Sequence, residues 1–188
     1  FLRVSPNPSE ELYNPIVVRP PGSVAEKEFL ARCIRCGECM KVCPTNVIQP
    51  ATRESNPEIM WTPVMNFDLG YCEFECTLCT QVCPTAAIAP LELEVKKKVK
   101  IGTAFFDQNR CLPYAYQRSC IVCEEHCPIP TKAIWFELIE VKNRKGETVT
   151  VKQPRVDAEL CTGCGICQEC CPIADRSGVY VSSRSEER

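Results

Sequence analysis

The 188-residue sequence predicts an α+β chain in which an extended N-terminal arm precedes two small cysteine-rich units. Three observations carry this reading. Of the 17 cysteines, 16 fall into four groups that each end in Cys-Pro. A short apolar stub follows each group at a fixed place (Val47-Ile48, Ala87-Ile88, Ala133-Ile134, Val179-Tyr180), the mark of an internal repeat. The 45% hydrophobic fraction also counts those cysteines. Without them about 36% remains, a thin core that needs help from something other than aliphatic packing.

The elements follow in chain order. Residues 1–27 carry Pro6, Pro8, Pro15, Pro20 and Pro21, which exclude a helix and predict an arm laid along a partner. Ser23, with Glu26 three residues on, reads as a capping box that opens a helix through Phe29 and Leu30. Between the first two groups, Pro50, Pro57 and Pro63 leave little alternation, which suits a crossing between units. Past the second group, Ala87-Ile88 and residues 98–101 read as two short strands. The basic run Lys96, Lys97, Lys98 and Lys100 reads as a solvated strand face. Residues 135–141 and 148–151 alternate about a turn at 143–146 and predict a β-hairpin. Trp61, Tyr114, Tyr116 and Trp135 are expected to pack around the cysteine sites. Residues 182–188 form a frayed tail.

The groups themselves carry the chemistry. They are Cys33, Cys36, Cys39, Cys43; then Cys72, Cys76, Cys79, Cys83; then Cys111, Cys120, Cys123, Cys127; and last Cys161, Cys164, Cys167, Cys171. Each closes with C-x2-C-x3-C-P, and the first and fourth read C-x2-C-x2-C-x3-C-P in full. That is the run of bacterial iron–sulfur proteins, in which the fourth cysteine ligates the other cluster of a pair. Two residues between thiolates let a tight loop wrap three corners of one cube with its N–H groups toward the sulfurs. Gly37, Gly163 and Gly165 lie in these loops, where positive φ is needed. The x3 step sets the third and fourth cysteines one helical turn apart, so that one face hands a ligand to each of two cubes. Sixteen ligands make four [4Fe–4S] clusters.

Other readings of the cysteines fit less well. A disulfide framework leaves one over, and structural zinc uses two separated pairs per ion. Cys72, Cys76 and Cys79 spell C-x3-C-x2-C, also the spacing of radical S-adenosylmethionine enzymes, and this stays open as a catalytic alternative. A cluster-stabilised structural subunit is a second alternative. Cys170 lacks both the x3 spacing and the proline and reads as a buried non-ligand thiol. His126, beside Cys127, reads as an outer hydrogen-bond donor or a solvated side chain.

Several classes are excluded. No apolar run is long enough to span a membrane. A net charge of −2 gives no nucleic-acid footprint. No Gly-rich phosphate loop is present. The sequence begins at Phe1, not methionine, so a removed targeting segment is compatible with it. No substrate site of its own is expected, only one-electron relay between a protein donor and a protein acceptor.

The four Cys-Pro motifs resemble polyferredoxins built from two bacterial dicluster ferredoxin units. Arg19-Pro-Pro-Gly22, Glu28-Phe-Leu30 and Cys33-Ile-Arg-Cys-Gly resemble the MauM/NapG family more specifically. So do the long gap from Cys111 to Cys120 and the stretch Cys161-Thr-Gly-Cys-Gly, with the likeness covering about residues 19–181. The resemblance implies a four-cluster electron-transfer subunit of a membrane-associated oxidoreductase complex with a quinol-oxidising partner. It also implies export with the clusters in place to the outer, periplasmic side of a bacterial membrane; the alternative is the cytoplasm.

Two pairings of the motifs are open, sequential and nested, and the nested one is expected. It gives an outer ferredoxin-like unit of residues 28–66 plus 145–181 and an inner one of residues 67–144. Cys33, Cys36 and Cys39 then share a cube with Cys171, while Cys161, Cys164 and Cys167 take Cys43. Cys72, Cys76 and Cys79 take Cys127, and Cys111, Cys120 and Cys123 take Cys83.

Overall fold

The computed structural model describes residues 17–52, 57–142, 146 and 148–183. Helix α1 (Glu26–Arg32) leads into the first cysteine loop, whose third cysteine sits in the one-turn helix α2 (Glu38–Lys41). Strand β1 (Ile48–Pro50), a 3-10 turn (Pro57–Ile59) and β2 (Pro63–Met65) follow. The second motif folds around α3 (Leu78–Gln81), after which α4 (Leu93–Lys96) and β3 (Thr103–Phe106) lead to the third. That motif holds α5 (Leu112–Ala115) in its long gap, then α6 (Val122–Glu125). Strands β4 (Ile134–Lys142) and β5 (Thr148–Val156) precede α7 (Ile166–Glu169) and β6 (Val179–Ser182).

The cysteine spacing dictates the shape of each loop. Cys39, Cys79, Cys123 and Cys167 all occupy the second position of a one-turn helix: α2, α3, α6 and α7. Gly37 (φ 77°) and Gly165 (φ 80°) cap two of these helices in the left-handed region, where a side chain is strained. Gly165 is needed twice over, because a Cβ there would lie 2.0 Å from the Phe67 ring. Each turn stops at Cys-Pro, since proline has no N–H to continue it.

Among the described residues the sheets are three antiparallel pairs: β1–β2, β3–β6 and β4–β5. Pro50 and Pro63 face each other in the first, at the end of a two-stranded ribbon where neither removes a needed ladder bond. The prolines between the first two motifs therefore shape a hairpin inside one region, not a crossing between units. Around it, Val24 N–H donates to Ala87 O (3.1 Å) and Ala89 N–H to Gly22 O (2.7 Å). The stub after the second motif is thus stitched to the segment before the first. The second half repeats the plan, with β4–β5 as its hairpin and β3–β6 as its closing ladder. The expected hairpin forms with Ile139 opposite Val151, and its second strand runs on to Val156. Most of its turn lies outside the described residues.

Two apolar clusters lie one after the other along the chain. One gathers Val18, Phe29, Val47, Ile48, Ala87 and Ile88; the other gathers Ala104, Ala133, Ile134 and Val179. The stubs after the Cys-Pro groups supply both, and all of their residues are buried except Tyr180. This succession departs from the nested division into 28–66 plus 145–181 and 67–144. The physical reason is the antiparallel bridge from residues 22–24 to 87–89, which closes the first cluster before the third motif begins.

Other details also differ from the sequence reading. Helix α1 starts at Glu26 with Ala25 as its cap, so there is no capping box. Ser23 Oγ instead donates to Pro20 O (2.7 Å), and Glu26 accepts from Arg19, whose guanidinium covers the Phe29 ring at 4.4 Å. Val18, Pro20 and Pro21 are buried, so this part of the expected arm packs on the fold; residues 1–16 lie outside the described residues. Lys96 ends a helix, not a strand face, and is buried. Trp61 (62% exposed), Tyr116 (49%) and Trp135 (51%) face outward rather than packing around the cysteines. Only Tyr114 of those four packs, stacked on Phe106 and donating to Pro154 O (2.7 Å). The expected tail lies largely outside the described residues.

Candidate metal centres

The sixteen motif cysteines frame four small cavities of similar size. Cavity I is framed by Cys33, Cys36, Cys39 and Cys83. Cavity II is framed by Cys72, Cys76, Cys79 and Cys43. Cavity III is framed by Cys111, Cys120, Cys123 and Cys171. Cavity IV is framed by Cys161, Cys164, Cys167 and Cys127. Each set takes three cysteines from one motif and the fourth from its sequence neighbour. Cys83 therefore stands with Cys33 and not with Cys111, and the nested pairing is corrected to a sequential one. Cys43 completes the set of Cys72, Cys76 and Cys79, so C-x3-C-x2-C leaves no open corner here. With only antiparallel strand pairs among the described residues, the radical-enzyme reading has no support.

Several features fit these sets to clusters. None of the 17 cysteines is in a disulfide. Among the described residues no group of three or more His, Cys, Asp or Glu converges to hold a single metal ion. The sulfurs frame a space instead of meeting at a point, which suits a multi-iron cube better than one zinc. Main-chain N–H groups point at the sulfurs: Ile88 N–H donates to Cys83 Sγ (3.4 Å) and Gly178 N–H to Cys171 Sγ (3.3 Å). The stub residue Ile88 thus serves twice, burying its side chain while presenting its amide to the fourth cysteine, whereas the Gly178 amide comes from just before the last stub.

The electrostatics divide the cysteines. Burial, reinforced by Cys33, Cys36 and Cys83, pushes the Cys39 thiol up to about 12. Burial does the same to Cys79, Cys111, Cys123 and Cys164, with neighbouring cysteines adding to it. For Cys43 and Cys83 burial also acts upward, but hydrogen bonds outweigh it and hold both thiols below the ordinary value. At Cys83 the donors are the Ile88 amide, the Thr85 hydroxyl and the amides of Thr85 and Ala87; at Cys43 they are the amides of Thr45, Val47 and Ile48, with the Thr45 hydroxyl, which donates to Tyr71 O, 3.5 Å from the sulfur. The thiols that are pushed up hold their protons until metal displaces them. Thr45 and Thr85 escaped the sequence reading, although Cys-Pro-Thr recurs in the first two motifs and Cys-Pro-Ile in the last two.

The cavities form a row. Helix α2 packs on α3 and α6 on α7, which joins I to II and IV to III. Between the pairs, Cys72 N–H donates to Cys164 O (2.8 Å) and Ile101 N–H to Thr162 O (2.9 Å), which sets II beside IV. The order is I, II, IV, III. At one end Cys36 is the only exposed cysteine among the 17. Cys170 is half-buried and lines none of the four cavities. His126 is exposed and its Nδ1 lies 2.9 Å from Val122 O.

Lys96 was also hidden in the sequence, since its run of lysines gave no reason to separate it from its neighbours. Its Nζ donates to Glu73 O and to Phe74 O (3.0 Å), both within the loop between Cys72 and Cys76.

Comparison with known proteins agrees with this geometry. A 4Fe-4S dicluster domain matches residues 32–87, which hold the first two motifs together. The methylamine utilization ferredoxin-type protein MauM of Methylobacillus flagellatus is 33% identical over 93% of this chain and 70% of its own length. The ferredoxin-type protein NapG of Escherichia coli is 35% identical over 83% of this chain and 66% of its own length. The ferredoxin-type protein NapF of Haemophilus influenzae is 30% identical over 92% and 85%. With cysteine sets shaped for clusters and relatives of this similarity along most of its length, the chain belongs to the MauM/NapG family of ferredoxin-type iron–sulfur proteins.

Proposed function

We propose that this chain is an electron-transfer subunit holding four [4Fe–4S] clusters in two successive ferredoxin-like units. One cluster is held by each of the four cysteine sets. The observation that carries this reading is the row of four similar cavities, each with a complete set of four sulfurs. A [4Fe–4S] cube supplies one-electron storage, its charge alternating between about −2 and −3 with four thiolates. The protein's part is to place and tune. The x3 steps Cys39–Cys43, Cys79–Cys83, Cys123–Cys127 and Cys167–Cys171 each bridge two neighbouring sets and hold them close. The Cys72–Cys164 contact does the same across the middle. Amide donors at Cys83 and Cys171 offset negative charge on sulfur.

Exchange with partners belongs at the ends of the row. Beside the exposed Cys36, Ile34 and Trp61 are each 62% exposed, and Arg35 is fastened to Met60 O (3.0 Å) and Glu58 O (3.2 Å). This surface suits a redox protein whose own centre approaches Cys36. The partners are other subunits of a membrane-associated oxidoreductase complex, contacted in part through the N-terminal arm, on the periplasmic side. Among the described residues no helix is long and apolar enough to cross a membrane.

An anaerobic redox titration followed by electron paramagnetic resonance tests the role. Reversible uptake of about four electrons per chain is expected. Clusters that are present but cannot be reduced or reoxidised would assign them to structure alone.

A further inference from the structure

Lys96 is the one charged side chain that is buried among the described residues, with 5% of its surface exposed. A buried ammonium needs acceptors for three protons and a counter-charge. Two of its acceptors are the carbonyls of Glu73 and Phe74. These are main-chain dipoles and carry no net charge. The neighbouring Lys97 takes the nearby carboxylates, Glu75 (3.2 Å) and Glu94 (3.1 Å). Both carbonyls lie in the loop from Cys72 to Cys76 that lines cavity II, and the Phe74 ring centroid is 5.8 Å from the ammonium. Burial raises the Cys72 thiol, and the charge of Lys96 acts against that rise. Among the described residues no carboxylate pairs with this cation; a cube on Cys43, Cys72, Cys76 and Cys79 would bring about −2 to it.

We infer that Lys96 is the counter-ion of the cluster in cavity II and sets that cluster's reduction potential above the value its thiolates alone would give. The inference rests on the four-cluster reading above. Taking up one electron from a donor carries a cube from about −2 to −3 and breaks no bond, and a fixed cation beside it favours the more negative state. No equivalent lysine is buried beside cavities I, III or IV among the described residues. The second station of the row is therefore singled out, next to the crossing from one ferredoxin-like unit to the other.

The test is a mediator titration of the full chain, prepared anaerobically, with iron counted in the same samples. Lys96→Met and Lys96→Gln remove the charge, and Lys96→Arg keeps it. One midpoint of the four is expected to fall in both neutral variants while the other three stay in place, and arginine is expected to restore it. Four unchanged midpoints at full iron content would overturn the inference. So would loss of one cluster's iron from both neutral variants, which would assign Lys96 to holding the 73–74 loop and nothing more. Wild-type protein without about sixteen irons would instead refute the four-cluster reading itself.

Discussion

At the scale of single residues, Cys170 and Cys171 are adjacent thiols with opposite surroundings. Cys171 frames cavity III and accepts the Gly178 N–H, whereas Cys170 frames none. Cys170→Ser is expected to keep all the iron. Cys171→Ser is expected to lose about one cluster's worth or leave a three-iron form, as iron assay and paramagnetic resonance would show. Thr85 makes a smaller contribution of a related kind. Its hydroxyl lies 3.7 Å from Cys83 Sγ, so Thr85→Val should lower one midpoint potential slightly and leave the iron count intact. The sixteen framing cysteines were legible because spacing and the following proline identify each without reference to the fold. Lys96 and Thr85 were not, because a tuning residue is defined by what it faces.

At the scale of elements, the left-handed glycines before α2 and α7 make a controlled comparison. Gly37 (φ 77°) has nothing within 4 Å of a built Cβ, while Gly165 (φ 80°) has the Phe67 ring at 2.0 Å. Gly37→Ala should cost about 1–2 kcal/mol for the strained backbone alone. Gly165→Ala adds an overpacking penalty of about 1–3 kcal/mol and should loosen cavity IV. Thermal melts and iron retention of the two variants give the ranking, and equal losses would count against the packing account. Elements fixed by local chemistry were the readable ones, as with the cysteine turns, the apolar stubs and the 134–156 hairpin. Pairing was misread because it depends on register between distant segments. The prolines at 50 and 63 looked like breaks but lie opposite each other in β1–β2. Residues 98–101 looked like a strand but join α4 to β3.

At the scale of the whole molecule, the cysteines are part of the core. Cys39, Cys79, Cys111, Cys123, Cys161 and Cys167 are buried with a small set of aliphatic residues. Binding four clusters would move the formal charge from −2 to about −10, gathered along one row. Stability should therefore depend on the metal: oxidation with a chelator is expected to abolish the far-ultraviolet dichroism of the folded chain, and a spectrum unchanged after iron removal would show that the aliphatic clusters suffice. The central claim is that four cysteine sets each hold a cube. It is tested most directly by counting iron, acid-labile sulfide and zinc in anaerobically prepared protein. The account predicts about 16 iron and 16 sulfide per chain with negligible zinc, whereas about four zinc and no sulfide would contradict it.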